Sequence, residues 1–347
     1  MNRNERFLVG IHCMTYNQAS YIEDALDGFA MQNTSFPYFA LVVDDASLDG
    51  EQEIIKSYIE KHFDHSEDTG YKQWETDDAS WIYARHNENE NCFFVVAFLK
   101  RNLYGNPQKW EVLNDWLNIS KFIAICEGDD YWTDPLKLQK QVNILEADET
   151  LMAVVTNSKL VDKNGNELKA KQDNIVPDNK QGRYDLRSFM NNVHHYPTAT
   201  VCYRRTHTEE IAGMTTHMAN PYLGDWTLWI ALHVFGDFYY LDQVTSAYRI
   251  NPTSVTHTCD RVNRAKANWK ICKSVQEILP DTYDDIRKSL DAKDWMWKDL
   301  AFAHKHERHF FRMLWCFFMA FLHNPKCLWE LFTINKKRKH QLSEMEI

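Results

Sequence analysis

A short apolar run that stops at a cluster of carboxylates is the feature that most restricts the fold of this chain. The run Phe122-Ile-Ala-Ile-Cys126 is followed at once by Glu127, Asp129 and Asp130. A continuous apolar run of this length predicts a strand buried on both faces, as in a parallel sheet covered by helices. In open α/β sheets the ligand lies in the crevice outside the carboxyl ends of the strands. The stretch therefore predicts a ligand site at the end of a parallel strand.

The same pattern occurs twice earlier in the chain. The apolar run Phe7–Cys13 ends in the polar segment Met14–Gln18, and the run Phe39–Val43 ends at Asp44-Asp45; helical spacing of apolar residues follows each of them. Two strand–helix units in succession predict a parallel sheet with right-handed crossovers. Residues 64–91 are polar and rich in Asp, Glu and Asn, which predicts a loop-rich insertion.

The carboxylates at the end of the third run indicate a metal ion. Three acidic groups within four positions repel one another unless a positive group lies among them. Ligands that are all oxygen atoms suit magnesium or manganese. Asp and Glu are also common in turns and in the first turn of a helix. An acidic turn that caps the next helix is therefore the alternative.

Composition limits the class of protein and its partners. The 347 residues carry a formal net charge of −10, which argues against nucleic acid as a partner because nucleic-acid-binding proteins present basic surfaces. The eight cysteines form no Cys-x-x-Cys pair, which predicts reduced, buried thiols. The first residues have no signal-peptide pattern, and no apolar stretch reaches the roughly 18 residues of a membrane span. We expect a cytoplasmic protein.

The chain changes character near residue 258, from strand and helix patterns to helical patterns rich in Trp, Phe and Lys. We therefore expect one domain over residues 1–257 and a helical appendage over residues 258–347. The segment from Arg308 to Ile334 precedes the basic run Lys336–His340 and is rich in large apolar residues, among them Phe310, Phe311, Leu314, Trp315, Phe317, Phe318 and Phe321. This arrangement is typical of a peripheral contact with the inner face of a membrane. It also fits a helical appendage that packs on the core and ends in a solvated basic tail.

Five stretches together resemble the inverting family-two glycosyltransferases that build bacterial polysaccharides. They occur in the order of that family and span roughly residues 7 to 257: Val9–Asn17, Leu41–Gly50, Glu127–Lys137, Gly224–Leu228 and Tyr248–Asn251. The resemblance implies an α/β fold of the GT-A class, in which a Rossmann-like mixed sheet is flanked by helices, here with a C-terminal helical appendage.

The resemblance also implies the roles of individual residues. It implies a set of donor-binding residues at the strand ends: Thr15, Tyr16, Asn17, Asp44, Asp45, Asn102, Glu127 and Arg249. Metal ligands are implied at Asp129, Asp130 and His257, with Mn²⁺ or Mg²⁺ as the cofactor. Glu127 stands where the family's Asp-x-Asp motif begins with Asp, and the longer side chain favours a contact to ribose or to metal-bound water. Asp225 is implied as the catalytic base.

The function that follows is metal-dependent transfer of a sugar, with inversion, in surface polysaccharide synthesis. The implied partners are a nucleotide-sugar donor, with uridine diphosphate the expected carrier, and a carbohydrate or lipid-linked acceptor. Two alternatives remain open from the residues. One is a non-catalytic nucleotide-sugar-binding protein on the same scaffold. The other is a sugar-nucleotide pyrophosphorylase, whose glycine-rich loop is missing because Met14–Gln18 contains no glycine.

Overall fold

The computed structural model describes residues 7–168, 180–192, 196–219, 224–250, 260–290 and 293–325. The chain forms two compact units. The first comprises Met1–Ile211 and Trp229–Asn251, and the second comprises Ala212–Leu228 and Pro252–Ile347. In the described residues the first unit carries all the strands, and the second unit is helical.

The first unit is built on one mixed sheet. Its strands in the described residues are β1 (Phe7–Thr15), β2 (Tyr38–Asp44), β3 (Phe63–Asp64), β4 (Lys72–Glu75), β5 (Ala79–His86), β6 (Cys92–Leu99), β7 (Ser120–Ile125), β8 (Tyr131–Trp132), β9 (Leu151–Val161), β10 (Gly182–Tyr184), β11 (Val201–Arg204) and β12 (Asp237–Arg249). The order is β10-β12-β9-β11-β7-β1-β2-β6-β5-β3, with β4 paired to β5 and β8 paired to β12. The central strands β7, β1, β2 and β6 are parallel. The predicted parallel strand–helix units are confirmed.

Helices cover both faces of this sheet. Those that lie wholly in the first unit are α1 (Ile22–Ala30), α2 (Glu51–His62), α3 (Gln108–Leu117), α4 (Lys137–Ala147) and α5 (Leu186–Asn192). Two more helices, α6 (Thr208–His217) and α7 (Gly224–Phe235), each have residues in both units. Strand β2 is buried along its whole length and alternates between the two layers. Val42 packs into the cluster that contains Ile55 of α2. Val43 points to the opposite layer, where Leu113 and Trp116 of α3 lie. Burial on both faces explains why these strands have continuous apolar sequences.

The prediction of a loop-rich insertion at residues 64–91 is wrong. Strands β4 and β5 form there, and β5 pairs antiparallel with the buried strand β6. Trp74 and Trp81 face each other across β4 and β5 with ring centroids 5.6 Å apart and nearly parallel planes. The sequence concealed this strand because its apolar centre, Trp81–Ala84, is only four residues long and is flanked by the polar residues Ser80 and Arg85.

The second unit contains the expected C-terminal helices. They are α8 (Arg261–Ile278), α9 (Asp284–Leu290), α10 (Lys293–His306) and α11 (Phe310–His323). The side chains of Val262, Ala265 and Ala303 form a small apolar cluster between α8 and α10. Among the described residues, no helix has the length and hydropathy needed to cross a bilayer. The basic run Lys336–His340 lies outside the described residues.

Candidate active site at the carboxyl edge of the sheet

Neighbouring strands bring the predicted loops together at one edge of the sheet. Strand β1 lies between β7 and β2, and Thr15 at its end is in register with Asp44 at the end of β2. The acidic loop after β7 continues beside β1, because the Gly128 backbone N–H donates to the Met14 carbonyl at 3.3 Å. The carboxyl ends of three parallel strands therefore meet where the sequence predicted a ligand site.

The loop after β1 is held by hydrogen bonds to the loop after β2. The Asn17 backbone N–H donates to Ser47 Oγ at 2.9 Å, and Asn17 Oδ1 accepts from the Leu48 N–H at 2.9 Å. Asn17 and Ala46 both have positive φ angles, of 54° and 62°. Residues other than glycine adopt such angles at a cost, and they occur often at functional sites. Tyr16 is 45% exposed next to this pair of loops.

Glu51, at the start of α2, holds the loop after β1 in place through hydrogen bonds. Its carboxylate contacts Thr15 Oγ1 and accepts from the Gln18 N–H at 2.9 Å and from Ser47 Oγ at 2.8 Å. Burial raises the pKa of this fully enclosed carboxyl, and the hydrogen bonds from Gln18, Thr15 and Ser47 offset part of the rise. The sequence analysis missed Glu51 because a Glu in the first turn of a helix is ordinary.

The two aspartates after β2 point into different surroundings. Asp44 is fully buried, and its Oδ1 accepts from Gln52 Nε2 at 2.6 Å and from the Ser47 N–H at 3.1 Å. Its Oδ2 has no hydrogen-bond partner in the described part of the chain. Because nearly all buried carboxylate oxygens in proteins are paired, this atom marks the edge as a place where a donor group is missing.

Asp45 forms a buried ion pair with Lys109. Its Oδ2 accepts from Lys109 Nζ at 2.6 Å, its Oδ1 accepts from the Leu103 N–H at 2.6 Å, and the two charged side chains are only 7% and 11% exposed. Asn102 Nδ2 donates to the Asp45 carbonyl at 3.1 Å. The structure therefore brings Asp45 and Asn102 together, as predicted for two donor-binding residues. It adds Lys109, whose position in a helix gave no sign of burial.

The acidic loop itself contains three carboxylates in unequal surroundings. Glu127 accepts a hydrogen bond from Thr198 Oγ1. Asp130 is only 3% exposed, and its Oδ1 accepts from the Arg249 backbone N–H at 2.8 Å. Burial raises the pKa of the Asp129 carboxyl. Burial also raises the pKa of Asp130 well above its usual value, and the charges of Asp129 and Glu127 raise it further. The loop is therefore short of positive charge.

Gly128 is required by the approach of this loop to β1. A Cβ atom at this position would lie 2.4 Å from Thr15 Oγ1 and 2.5 Å from Gln18 Oε1. No real Cβ tolerates such distances.

Arg249, at the end of β12, fastens the acidic loop to its surroundings. Its Nε donates to the Asp129 carbonyl at 2.9 Å. Its Nη2 donates to Asp24 Oδ2 at 2.6 Å, and its Nη1 donates to the Lys163 carbonyl at 3.2 Å. The side chain is 2% exposed. It could contact a diphosphate, as the resemblance implies, only by giving up one of these partners. The geometry favours a residue that positions Asp129 and Asp130.

The aromatic neighbours of Arg249 complete this arrangement. The centre of the guanidinium lies 4.6 Å from the ring centroid of Tyr21 and 5.3 Å from that of Tyr131. A guanidinium between two aromatic rings is held by cation–π attraction as well as by its hydrogen bonds.

The fit of this site to a metal ion differs from one carboxylate to the next. In the ranges that the structure describes, no group of three or more His, Cys, Asp or Glu side chains is arranged to hold a metal. Asp130 does not fit as a ligand, because its carboxylate is enclosed and bonded to the Arg249 N–H. Asp129 and Glu127 fit better, because both are only half-buried. Magnesium is commonly bound through one or two carboxylates together with substrate phosphates. His257 lies outside the described residues.

Asp225 lies in the first turn of α7, in the part of that helix that belongs to the second unit. It is half-buried, and its Oδ1 accepts from the Trp226 N–H at 2.8 Å. A carboxylate in the first turn is stabilised by the helix dipole. These contacts are compatible with the predicted role of a base, which stays a prediction.

Comparison with solved structures identifies the fold. Residues 1–349 of Staphylococcus aureus TarS, solved in complex with UDP, align over 83% of this chain and 72% of that one, with a TM-score of 0.52 and 16% identity. The chain has a GT-A fold. The fold class expected from the sequence is confirmed, including the C-terminal helices.

Sequence comparisons give relatives of higher identity to this GT-A chain. No family model matches it. A protein of unknown function from Mycobacterium tuberculosis is 28% identical over 257 residues, which are 72% of this chain and 61% of that protein. An uncharacterised glycosyltransferase of Mycoplasma genitalium is 26% identical over 128 residues, 37% of this chain and 33% of that protein. The chain thus spans about 61% of the length of its first curated relatives.

Proposed function

We propose that this protein is a glycosyltransferase that moves a sugar, with inversion, from a nucleotide-sugar donor to a carbohydrate or lipid-linked acceptor. The observation that carries the proposal is the meeting of three strand ends, which places the Tyr16–Asn17 loop, the Asp45–Asn102 pair and the acidic loop at one edge of a GT-A sheet. The structure of TarS with UDP and the Mycoplasma glycosyltransferase support the same class.

The donor nucleotide has matching groups at this edge. The exposed ring of Tyr16 offers an apolar face for a base. Asn17 and Asn102 carry amides, and the carboxylate of Asp45 can accept a further hydrogen bond from a ribose hydroxyl or from a uracil N–H. Asp44 is fully buried and supports this loop through Ser47 and Gln52. Lys109 Nζ and the Leu103 N–H already contact the two oxygens of Asp45, so we propose that they fix this carboxylate in place. Uridine diphosphate is the carrier we expect.

Asp129 and Glu127 are the residues that we propose to hold a divalent cation, Asp129 directly and Glu127 through water. Mn²⁺ or Mg²⁺ bound there would neutralise the charge on the departing diphosphate. The half-buried positions of Asp129 and Glu127 support this, because both carboxylates lie on the one loop and Asp130 is enclosed. Arg249 positions this loop through the Asp129 carbonyl.

Asp225 is the residue that we propose as the base. It would take the proton from the acceptor hydroxyl as that oxygen attacks the anomeric carbon from the side opposite the leaving nucleoside diphosphate. A single carboxylate is sufficient for inversion. The catalytic domain in this proposal comprises residues 1–257, and the helices over residues 258–347 are an appendage.

The test is donor hydrolysis by the purified full chain. The protein is incubated with MnCl₂ and a panel of UDP, GDP and dTDP sugars, with and without EDTA. Release of nucleoside diphosphate that EDTA abolishes is the expected result. Binding of a nucleotide sugar without release, with every acceptor tried, would instead favour a non-catalytic binding protein. Pyrophosphate-dependent release of nucleoside triphosphate would favour a pyrophosphorylase.

A further inference from the structure

Helix α11 is apolar on all sides. One face of the helix packs inside the second unit: Cys316 and Ala320 are buried, and the ring of Phe317 lies edge-on to Phe302 of α10 at 5.7 Å. Arg312 is the only residue of the charged types Asp, Glu, Lys and Arg from Phe310 to His323. A helix that is apolar all round is normally buried in a core or in a membrane.

The opposite face of α11 is open. Phe311 is 87% exposed, Trp315 59% and Phe318 51%, and they recur at the spacing of one helical stripe. The other large apolar residues that are exposed on this helix are Phe310, Leu314, Phe321 and Leu322. With aromatic side chains of 150–250 Å² each, the exposed apolar area is on the order of 700 Å². That is more than the largest patch of a typical soluble monomer.

The length of α11 and the charges around it indicate what covers this face. The 14 residues of the helix extend about 21 Å, too short to cross a bilayer. Between Lys305 and His340 the sequence has eight Lys and Arg residues against two Glu, although the whole chain carries a net charge of −10. Basic residues that flank an apolar helix are attracted to anionic lipid headgroups.

We propose that α11 lies in the plane of an anionic phospholipid surface, with Phe311, Trp315 and Phe318 inserted below the headgroups. Aromatic side chains are well suited to this depth because one part of the residue is apolar and the other contacts water. Arg308 and Arg312 stand beside the inserted face and contact the phosphates. The proposal goes beyond the transfer reaction, because it concerns the surface at which the protein works and not the chemistry of its site.

The experiment measures co-sedimentation of the full chain with vesicles. One set is pure phosphatidylcholine, and the other contains about 30% phosphatidylglycerol, a composition that gives a negative surface. The test variant is Phe311→Glu with Phe318→Glu. The matched control is Tyr104→Glu with Trp110→Glu, two aromatics in and before α3 that are 63% and 56% exposed. All four substitutions are at exposed positions, so folding should be retained.

We expect the wild-type chain to bind the anionic vesicles at least ten-fold more tightly than the neutral ones, and high salt to weaken that binding. The α11 variant should lose at least ten-fold in affinity, and the α3 control should stay within about two-fold of wild type. Donor hydrolysis without vesicles should be equal in the wild type and the α11 variant, which separates this proposal from the proposed reaction.

Three results would overturn the proposal. The first is a wild-type chain that does not bind anionic vesicles. The second is an α11 variant that binds them as well as wild type does. The third is a wild-type dimer in light scattering that the α11 variant converts to a monomer, with no vesicle binding by either protein. That outcome would assign the face to a second copy of the chain.

Discussion

Removal of the Arg249 side chain should destabilise the first unit strongly. Arg249→Ala leaves the backbone N–H to Asp130 in place but removes three side-chain hydrogen bonds and two aromatic contacts. The hydrogen bonds to the Asp129 and Lys163 carbonyls contribute about 1 kcal/mol or more each, because they come from a charged group. Asp24 is 54% exposed, so its ion pair contributes only about 0.5 kcal/mol.

The two tyrosine contacts add about 1 kcal/mol each, since the guanidinium is desolvated. The total expected loss is about 4 kcal/mol in the free energy of unfolding. For a unit of this size a loss of 1 kcal/mol lowers the melting temperature by roughly 2–4 °C. Arg249→Ala should therefore lower the melting temperature of the first unit by about 10 °C. Arg249→Lys keeps the charge but not the planar fork, and should recover less than half of the loss.

Differential scanning calorimetry measures this difference, with Arg101→Ala as the matched control. Arg101 forms an ion pair of similar length, 2.7 Å to Asp78, but its side chain is 53% exposed. Exposed pairs contribute 1 kcal/mol or less, so its melting temperature should fall by no more than about 3 °C. Equal shifts for Arg249→Ala and Arg101→Ala would refute the conclusion that Arg249 holds the site together.

Three further predictions concern catalysis and pH. Asp129→Asn should abolish metal-dependent binding of a nucleoside diphosphate in calorimetry, whereas Asp68→Asn, at an exposed position, should leave it unchanged. Asp225→Asn should retain donor affinity while turnover falls by a factor on the order of 10²; full turnover would exclude it as the base. Burial, with the charge of Arg205, lowers the pKa of His12 from 6.5 to about 4. The unfolded chain then binds a proton that the folded chain does not, so stability should fall by about 3 kcal/mol as the pH drops from 6.5 to 4. Melting temperatures of wild type and His12→Gln should converge over that range.

The central part of the fold could be predicted from the sequence because its strands are buried on both faces. Each of β1, β2 and β7 contains a run of apolar residues, and the runs in β2 and β7 are followed by acidic residues. Strand β5 could not be predicted in this way. It forms because it pairs with β6, and its own sequence has no clear strand pattern. Its polar residues resembled those of a loop.

The residues of the site could be predicted only in part, for a related reason. Asp45 belongs to a recognisable motif, and the Asn102 side chain lies against its carbonyl; donor binding by the two residues stays a prediction. Lys109 is 64 positions from Asp45, and a lysine in a helix is normally solvated. The partner of Arg249, Asp24, is 225 positions away. Such long-range contacts leave no pattern in the local sequence. The sequence therefore could not show that the Arg249 side chain is buried and already bonded to Asp24 and to the Asp129 carbonyl.

The contact between Gly128 and Thr15 has a consequence for ligand affinity. The two loops touch without room for a single methyl group, so the carboxylates beyond Gly128 take their position from the rigid end of β1. In the proposed function, the loop would lose little conformational freedom when a nucleotide binds, and the entropic penalty of association would be correspondingly small. A small fragment of the donor that makes only a few contacts should therefore still bind with a measurable affinity.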